Sequence, residues 1–290
     1  MKDRRARILI LLISLLLICV AAGCGGRSKK DLENELAYRQ LGINKMNEGD
    51  YEEAVRMFQK ALDQSMAVVG ELEIDISYYK AAAQYKAGDT AGAMDTYGAL
   101  IDYDKKNADA WYLRGILYLE QGDTKAAMDD FENALNIDKK NRALYNKIGE
   151  RLKQAGLTEE AGEILNRGLS LKGETAADDR EKGYACMLLE QYDSAETYLT
   201  KANEGKDAEA GYYLGKLYEV QGEYDKALVY FQAALENGTS ANERALRRDE
   251  IIALEHTLDF AQAREKMESY LEDYPDDQEA AREYEFLKSR

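Results

Sequence analysis

The sequence predicts an all-α chain: an α-solenoid of about seven helical hairpins with a C-terminal capping helix. Three observations carry that prediction. The tetrapeptide Asp-Lys-Lys-Asn occurs at Asp104–Asn107 and again, 34 residues on, at Asp138–Asn141. Alanines at Ala54, Ala93, Ala127, Ala161, Ala195, Ala227 and Ala263 recur at intervals of 39, 34, 34, 34, 32 and 36 residues. Gly49, Gly88, Gly122, Gly156 and Gly222 each stand five residues before one of those alanines. Self-similarity at such a period marks a repeat architecture rather than one globular core. Composition agrees by exclusion: one proline rules out a collagen-like or Pro-rich chain, and three cysteines cannot build a disulfide framework. The net charge of −16 argues against a nucleic-acid partner, since phosphate binding needs clustered Lys and Arg.

The first element is a leader. Residues 1–7 carry Lys2, Arg4, Arg5 and Arg7 against one acid, and residues 8–22 are almost wholly apolar. That run is short for a membrane-spanning helix and suits the hydrophobic region of a signal peptide. It ends Ala21-Ala22-Gly23-Cys24, which resembles the lipobox of bacterial lipoproteins, with Ala21 where that family prefers Leu. The resemblance implies cleavage before Cys24, a lipid on its sulfur and an extracytoplasmic address anchored to a bacterial membrane. Removing four basic residues and one acid with residues 1–23 would leave a net charge of −19. Cys186 would then be the one free thiol, read here as a buried structural residue. Residues 24–34 open polar and glycine-rich and are expected to be a tether.

The body follows from residue 35 to 277. In its clearest unit Trp111, Gly115 and Tyr118 fall on one helix face, Gly122 ends that helix, and Ala126, Ala127, Phe131, Ala134 and Leu135 continue at helical spacing. Asn141 is placed to cap the helix after it. Each unit is therefore an αα-hairpin in which small residues such as Gly115 and Ala127 permit close approach. This pattern resembles the tetratricopeptide repeat, with Arg114 standing where Leu is usual. The first unit supplies Tyr38, Leu41, Gly42, Ala54, Phe58 and Ala61; the second Ala81, Gly88, Ala93 and Tyr97. The fourth supplies Tyr145, Ile148, Gly149, Gly156 and Ala161, and the sixth Leu214, Gly215, Tyr218, Gly222, Tyr224, Ala227, Phe231 and Ala234. The fifth has Glu190 at the turn glycine, and the seventh is weakest, with Ile251 at a small-residue position and Leu258 at the turn. The first interval of 39 residues implies extra residues near 63–73, as a longer helix or loop. Residues 278–290 carry Ala281, Tyr284 and Leu287 at helical spacing, as a capping helix would.

The resemblance also implies a function. In that family the first helix of each hairpin lines a concave face, which places Arg39, Tyr78, Tyr85, Tyr112, Asn146, Arg180, Tyr184, Tyr212 and Arg248 as candidate groove residues. Basic and acidic residues nearly balance over the lining positions, so the chain's acidity is expected elsewhere. Tyr and Arg recur as binding anchors because they offer rigid area and planar donors. The expected role is a non-catalytic scaffold or adaptor for cell-envelope proteins that binds an extended or helical segment of a protein or peptide partner. The alternatives are a self-associating structural module, or a binder of glycan or a small ligand. Phosphate-loop, zinc-protease, C-x-x-C and nucleophile-elbow motifs are all missing from the sequence. No cofactor, metal site or catalytic residue is expected, and the lone His256 reads as a surface or packing residue.

Overall fold

A computed structural model describes residues 28–65, 69–207, 209–237 and 243–290. The leader, Cys24 and residues 25–27 lie outside them. The described residues form fifteen α-helices and no strand. They group into two compact units that divide between Ile137 and Asp138. The first unit holds three hairpins: α1 (Lys29–Asn47) with α2 (Tyr51–Asp63), α3 (Glu71–Lys86) with α4 (Thr90–Tyr103), and α5 (Ala108–Glu120) with α6 (Thr124–Ile137). The second holds four: α7 (Arg142–Gln154) with α8 (Thr158–Leu169), α9 (Ala176–Leu188) with α10 (Tyr192–Glu204), α11 (Ala210–Val220) with α12 (Tyr224–Asn237), and α13 (Glu243–His256) with α14 (Phe260–Asp273). The last helix, α15 (Gln278–Leu287), packs on α14 as a cap.

One lock recurs among the hairpins. In six of the seven hairpins a small residue on the first helix faces a large one sixteen positions later on the second. The pairs are Gly42 with Phe58, Gly115 with Phe131, Gly149 with Leu165, Gly183 with Leu199, and Gly215 with Phe231; a Cβ on any of these glycines would stand under 3.0 Å from its partner. The large partners are all fully buried. Hairpin two puts Ala81 and Tyr97 at these positions, within one core cluster. Hairpin seven puts Ile251 and Met267 there, again within one cluster. The unbranched Met267 accommodates a neighbour that a ring would not, which explains how the weakest unit keeps the same fold.

The turn inside each hairpin needs a left-handed residue. Gly49, Gly88, Gly122, Gly156 and Gly222 supply it with φ between 76° and 85°. Glu190 and Leu258 adopt it too, at 61° and 64°, so these two hairpins keep the turn without its usual residue. Lys206, after α10, has the same conformation.

Helix starts follow from side-chain caps. Asp50, Asp89, Asn107, Asn141, Asp259 and Asp277 each accept a backbone N–H from the first turn of the following helix, a bond worth about 1 kcal/mol apiece. The expected tether is corrected at its end. Ser28 and Asp31 form a reciprocal capping box, so α1 begins at Lys29 and residues 29–34 are helical. The extra residues of the first interval fall between α2, which ends at Asp63, and α3, which begins at Glu71. Arg114, unusual at its repeat position, makes a bidentate bond at 2.7 and 2.9 Å to Asp130 on α6, which is 4% exposed. It replaces an apolar contact by a paired charge across the hairpin.

Candidate functional site

The candidate residues sit on the first helices α1, α3, α5, α7, α9, α11 and α13, as expected, but most of them are tied to the next hairpin. In the first unit, Arg39 Nε donates to Asp75 Oδ2 on α3 at 2.6 Å and the guanidinium lies 5.2 Å from the Tyr79 ring centroid. Tyr78 donates its hydroxyl to Asn107 Oδ1, the cap of α5, at 2.6 Å, and burial pushes its pKa up to about 12. Tyr112 packs on Phe131 with centroids 6.1 Å apart. Tyr85, 37% exposed, is the candidate most open to solvent in that unit.

The second unit is denser. Asn146 is 1% exposed and donates from Nδ2 to the Glu181 carbonyl at 2.8 Å and to Glu181 Oε2 at 2.9 Å. The sequence placed it on an open surface; the structure buries it between α7 and α9. Arg180 reaches Glu181 Oε1 at 3.0 Å, Asp207 Oδ1 at 3.2 Å and Glu209 Oε2 at 3.1 Å. Arg248 Nη2 donates to Glu283 Oε2 on α15 at 2.5 Å. Tyr184 and Tyr212 are brought together through a residue the sequence did not single out: Tyr213 stands 4.9 Å from the first and 5.5 Å from the second. Burial, then the nearby Glu150 carboxylate, pushes Tyr184 well above the ordinary phenol range. Burial, then Asp249, does the same to Tyr212.

The sequence missed the partners Asp75, Glu181, Asp249 and Glu283. Each lies 35 to 37 residues after the residue it holds, one repeat further on, so the repeat period itself was the available signal. Lining positions read one helix at a time also leave out the carboxylates that the neighbouring hairpin and loop add in the second unit. Lys216 faces both Glu219 Oε2 at 2.6 Å and Asp249 Oδ1 at 3.2 Å. Burial holds Asp249 above the usual carboxylate range despite that lysine.

Elsewhere the chemistry is structural. Burial raises the pKa of the Cys186 thiol, which disfavours a reactive thiolate. His256 stacks on Tyr224 with centroids 3.8 Å apart and planes 3° from parallel. Among the described residues no group of three or more His, Cys, Asp or Glu could hold a metal ion, and no helix is long and apolar enough to cross a membrane.

Repeated two-helix units, locked at a fixed offset and tied neighbour to neighbour, define a helical-repeat protein. Family models confirm which one. Two models described as tetratricopeptide repeat match residues 108–141, and 39–98 with 180–242, and one described as TPR repeat matches 81–122. The chain belongs to the tetratricopeptide repeat family. A tetratricopeptide repeat protein from Parabacteroides merdae superposes with a TM-score of 0.55 at 15% identity, covering 89% of this chain and 100% of that one. The Cut9–Hcn1 hetero-tetramer of the APC/C gives 0.50 at 13% identity, covering 85% and 54%. At these identities the likeness is one of fold. Comparison with curated proteins found no match.

Proposed function

We propose that the chain is a membrane-anchored, extracytoplasmic scaffold that captures a segment of another cell-envelope protein on the first-helix faces of its hairpins and performs no catalysis. The observation that carries this reading is that, within each unit, Arg, Tyr and Asn side chains are held in place by bonds to the following hairpin or, for Arg248, to the cap. A surface fixed before the partner arrives loses little side-chain entropy on binding. The lipobox-like Ala21-Ala22-Gly23-Cys24 supports the anchor, which would raise the local concentration of scaffold beside membrane partners.

Two measurements test the reading. Mass spectrometry of the N-terminal peptide should find a lipid on Cys24; an unmodified thiol there removes the anchor. Affinity capture from native membranes should recover a discrete envelope protein, with capture lost when Tyr85, Tyr112 and Tyr184 are replaced by Ala while the helical circular dichroism is retained. Unchanged capture by that variant rejects these faces as the binding surface.

A further inference from the structure

We infer that the first-helix face of the second unit receives a cationic chain segment, an extended stretch of partner carrying Lys or Arg. The inference rests on the scaffold reading above and specifies its ligand.

The first observation is a surplus of carboxylate around two cations on that face, Arg180 and Lys216. Arg180 has three carboxylates within 3.2 Å, from Glu181, Asp207 and Glu209. Lys216 has two, from Glu219 and Asp249. Arg248 pairs with Glu283, and the Glu283 carboxylate also acts on Glu255. One positive charge cannot neutralise two or three negative ones, so each tie leaves negative potential on the surface. The titrating groups register it. Burial and then the Glu181 carboxylate push Tyr213 up to about 12, and burial and then Glu283 push Glu255 up to about 7. Both directions are those of an environment that resists further negative charge.

The second observation is an acceptor without a donor. Asn146 is 1% exposed; its amide nitrogen is engaged by Glu181, while Oδ1 is buried and accepts no hydrogen bond. A buried acceptor left this way costs stability, and Asn146 sits against Glu181, one of the three carboxylates around Arg180. The third is aromatic. Tyr184, Tyr213 and Tyr212 form one contiguous ring cluster, with the Glu150 and Asp249 carboxylates acting on the outer two. Ring faces attract cations, and a guanidinium or ammonium set against them keeps a carboxylate within reach. An acidic segment would be repelled by the surplus carboxylates, and an uncharged one would leave them unneutralised. The net charge of the whole chain, −16, adds long-range attraction of the same sign.

The test uses the full chain and fluorescent peptides of about twelve residues, a length that spans a few hairpins in extended form. One peptide carries Lys at every third position, a second carries Arg there, a third Glu and a fourth Gln. The Lys and Arg peptides should bind and the Glu and Gln peptides should not. Raising salt from ~50 to ~500 mM should weaken binding about tenfold or more. The triple change Glu150→Gln, Glu219→Gln, Asp249→Asn keeps side-chain shape and should cost a further factor of about ten. Glu159→Gln with Glu163→Gln, exposed on α8, should leave affinity unchanged. Equal binding of the Gln peptide, an equal loss in the α8 variant, or no binding by any peptide overturns the inference. So does unchanged capture of the membrane partner by the triple variant, in which case the scaffold reading survives without it. Should the triple variant unfold, the peptide series and its salt dependence decide alone.

Discussion

Replacing Gly115 by Ala is the sharpest probe of the hairpin lock, because two physical effects of similar size oppose each other there. Gly115 lies in the middle of α5, where Ala is favoured by about 1 kcal/mol as a helix former. Its new Cβ would stand 2.7 and 2.8 Å from two ring carbons of Phe131 and 3.3 Å from the Ala127 carbonyl. Phe131 is 0% exposed and has nowhere to retreat, so overpacking should cost about 2–3 kcal/mol. The net expectation is destabilisation by about 1–2 kcal/mol in urea unfolding followed by circular dichroism. Gly162→Ala is the matched control, since its Cβ meets nothing within 4 Å in α8, and it should stabilise by about 0.5–1 kcal/mol. Combining Gly115→Ala with Phe131→Leu should cost less than the two single changes added together, because a smaller partner relieves the clash. If Gly115→Ala stabilises as Gly162→Ala does, the close approach of the two helices is not what the glycine serves, and the lock is wrong.

Three further outcomes are expected. Leu258→Gly should raise the urea midpoint by the equivalent of about 0.5–1 kcal/mol by relieving a left-handed residue, with a smaller gain at Glu190, which also pairs with Lys153 at 2.8 Å; a loss at Leu258 would show that its side chain matters more than its backbone. Arg142→Ala should destabilise the second unit by about 3 kcal/mol, because the buried guanidinium donates to the carbonyls of Gly168 at 3.0 Å and Leu171 at 2.6 Å and pairs with Asp178. The third concerns pH. Burial and Glu283 raise Glu255 from 4.5 to about 7 in the folded chain, so the stability tied to its protonated form is complete below about 4.5 and lost as pH rises through about 7. Glu255→Gln should flatten the dependence of Tm on pH across that window; an identical slope in both proteins would remove Glu255 as its source.

The hairpins were legible because their signals are short-range and repeated: glycines five residues before alanines, and aromatic residues at helical spacing. The seventh unit looked weakest because Ile251 and Leu258 each break a rule when read alone. The compensation for Ile251 stands sixteen residues away, at Met267, and Leu258 takes a conformation that no residue type discloses. The candidate face was legible in position but not in state. Arg39, Tyr78 and Arg248 were found, yet their partners Asp75, Asn107 and Glu283 belong to the next hairpin or to the cap, and a reading of one helix at a time does not join them. Asn146 illustrates the limit, being correctly placed on its helix and yet closed over by Glu181. The start of α1 was missed for a simpler reason: Ser28-x-x-Asp31 is a capping signature, and the glycines just before it suggested a flexible linker.

The sixteen-residue lock makes assembly cheap. Bringing its two ends together encloses only a hairpin, and the side-chain bonds between hairpins span at most 37 residues. Short closures cost little chain entropy and favour rapid, locally nucleated folding. The number of hairpins is then a free variable: one more could be copied into either unit without redesigning those already there, provided the end of the array still meets a polar helix such as α15.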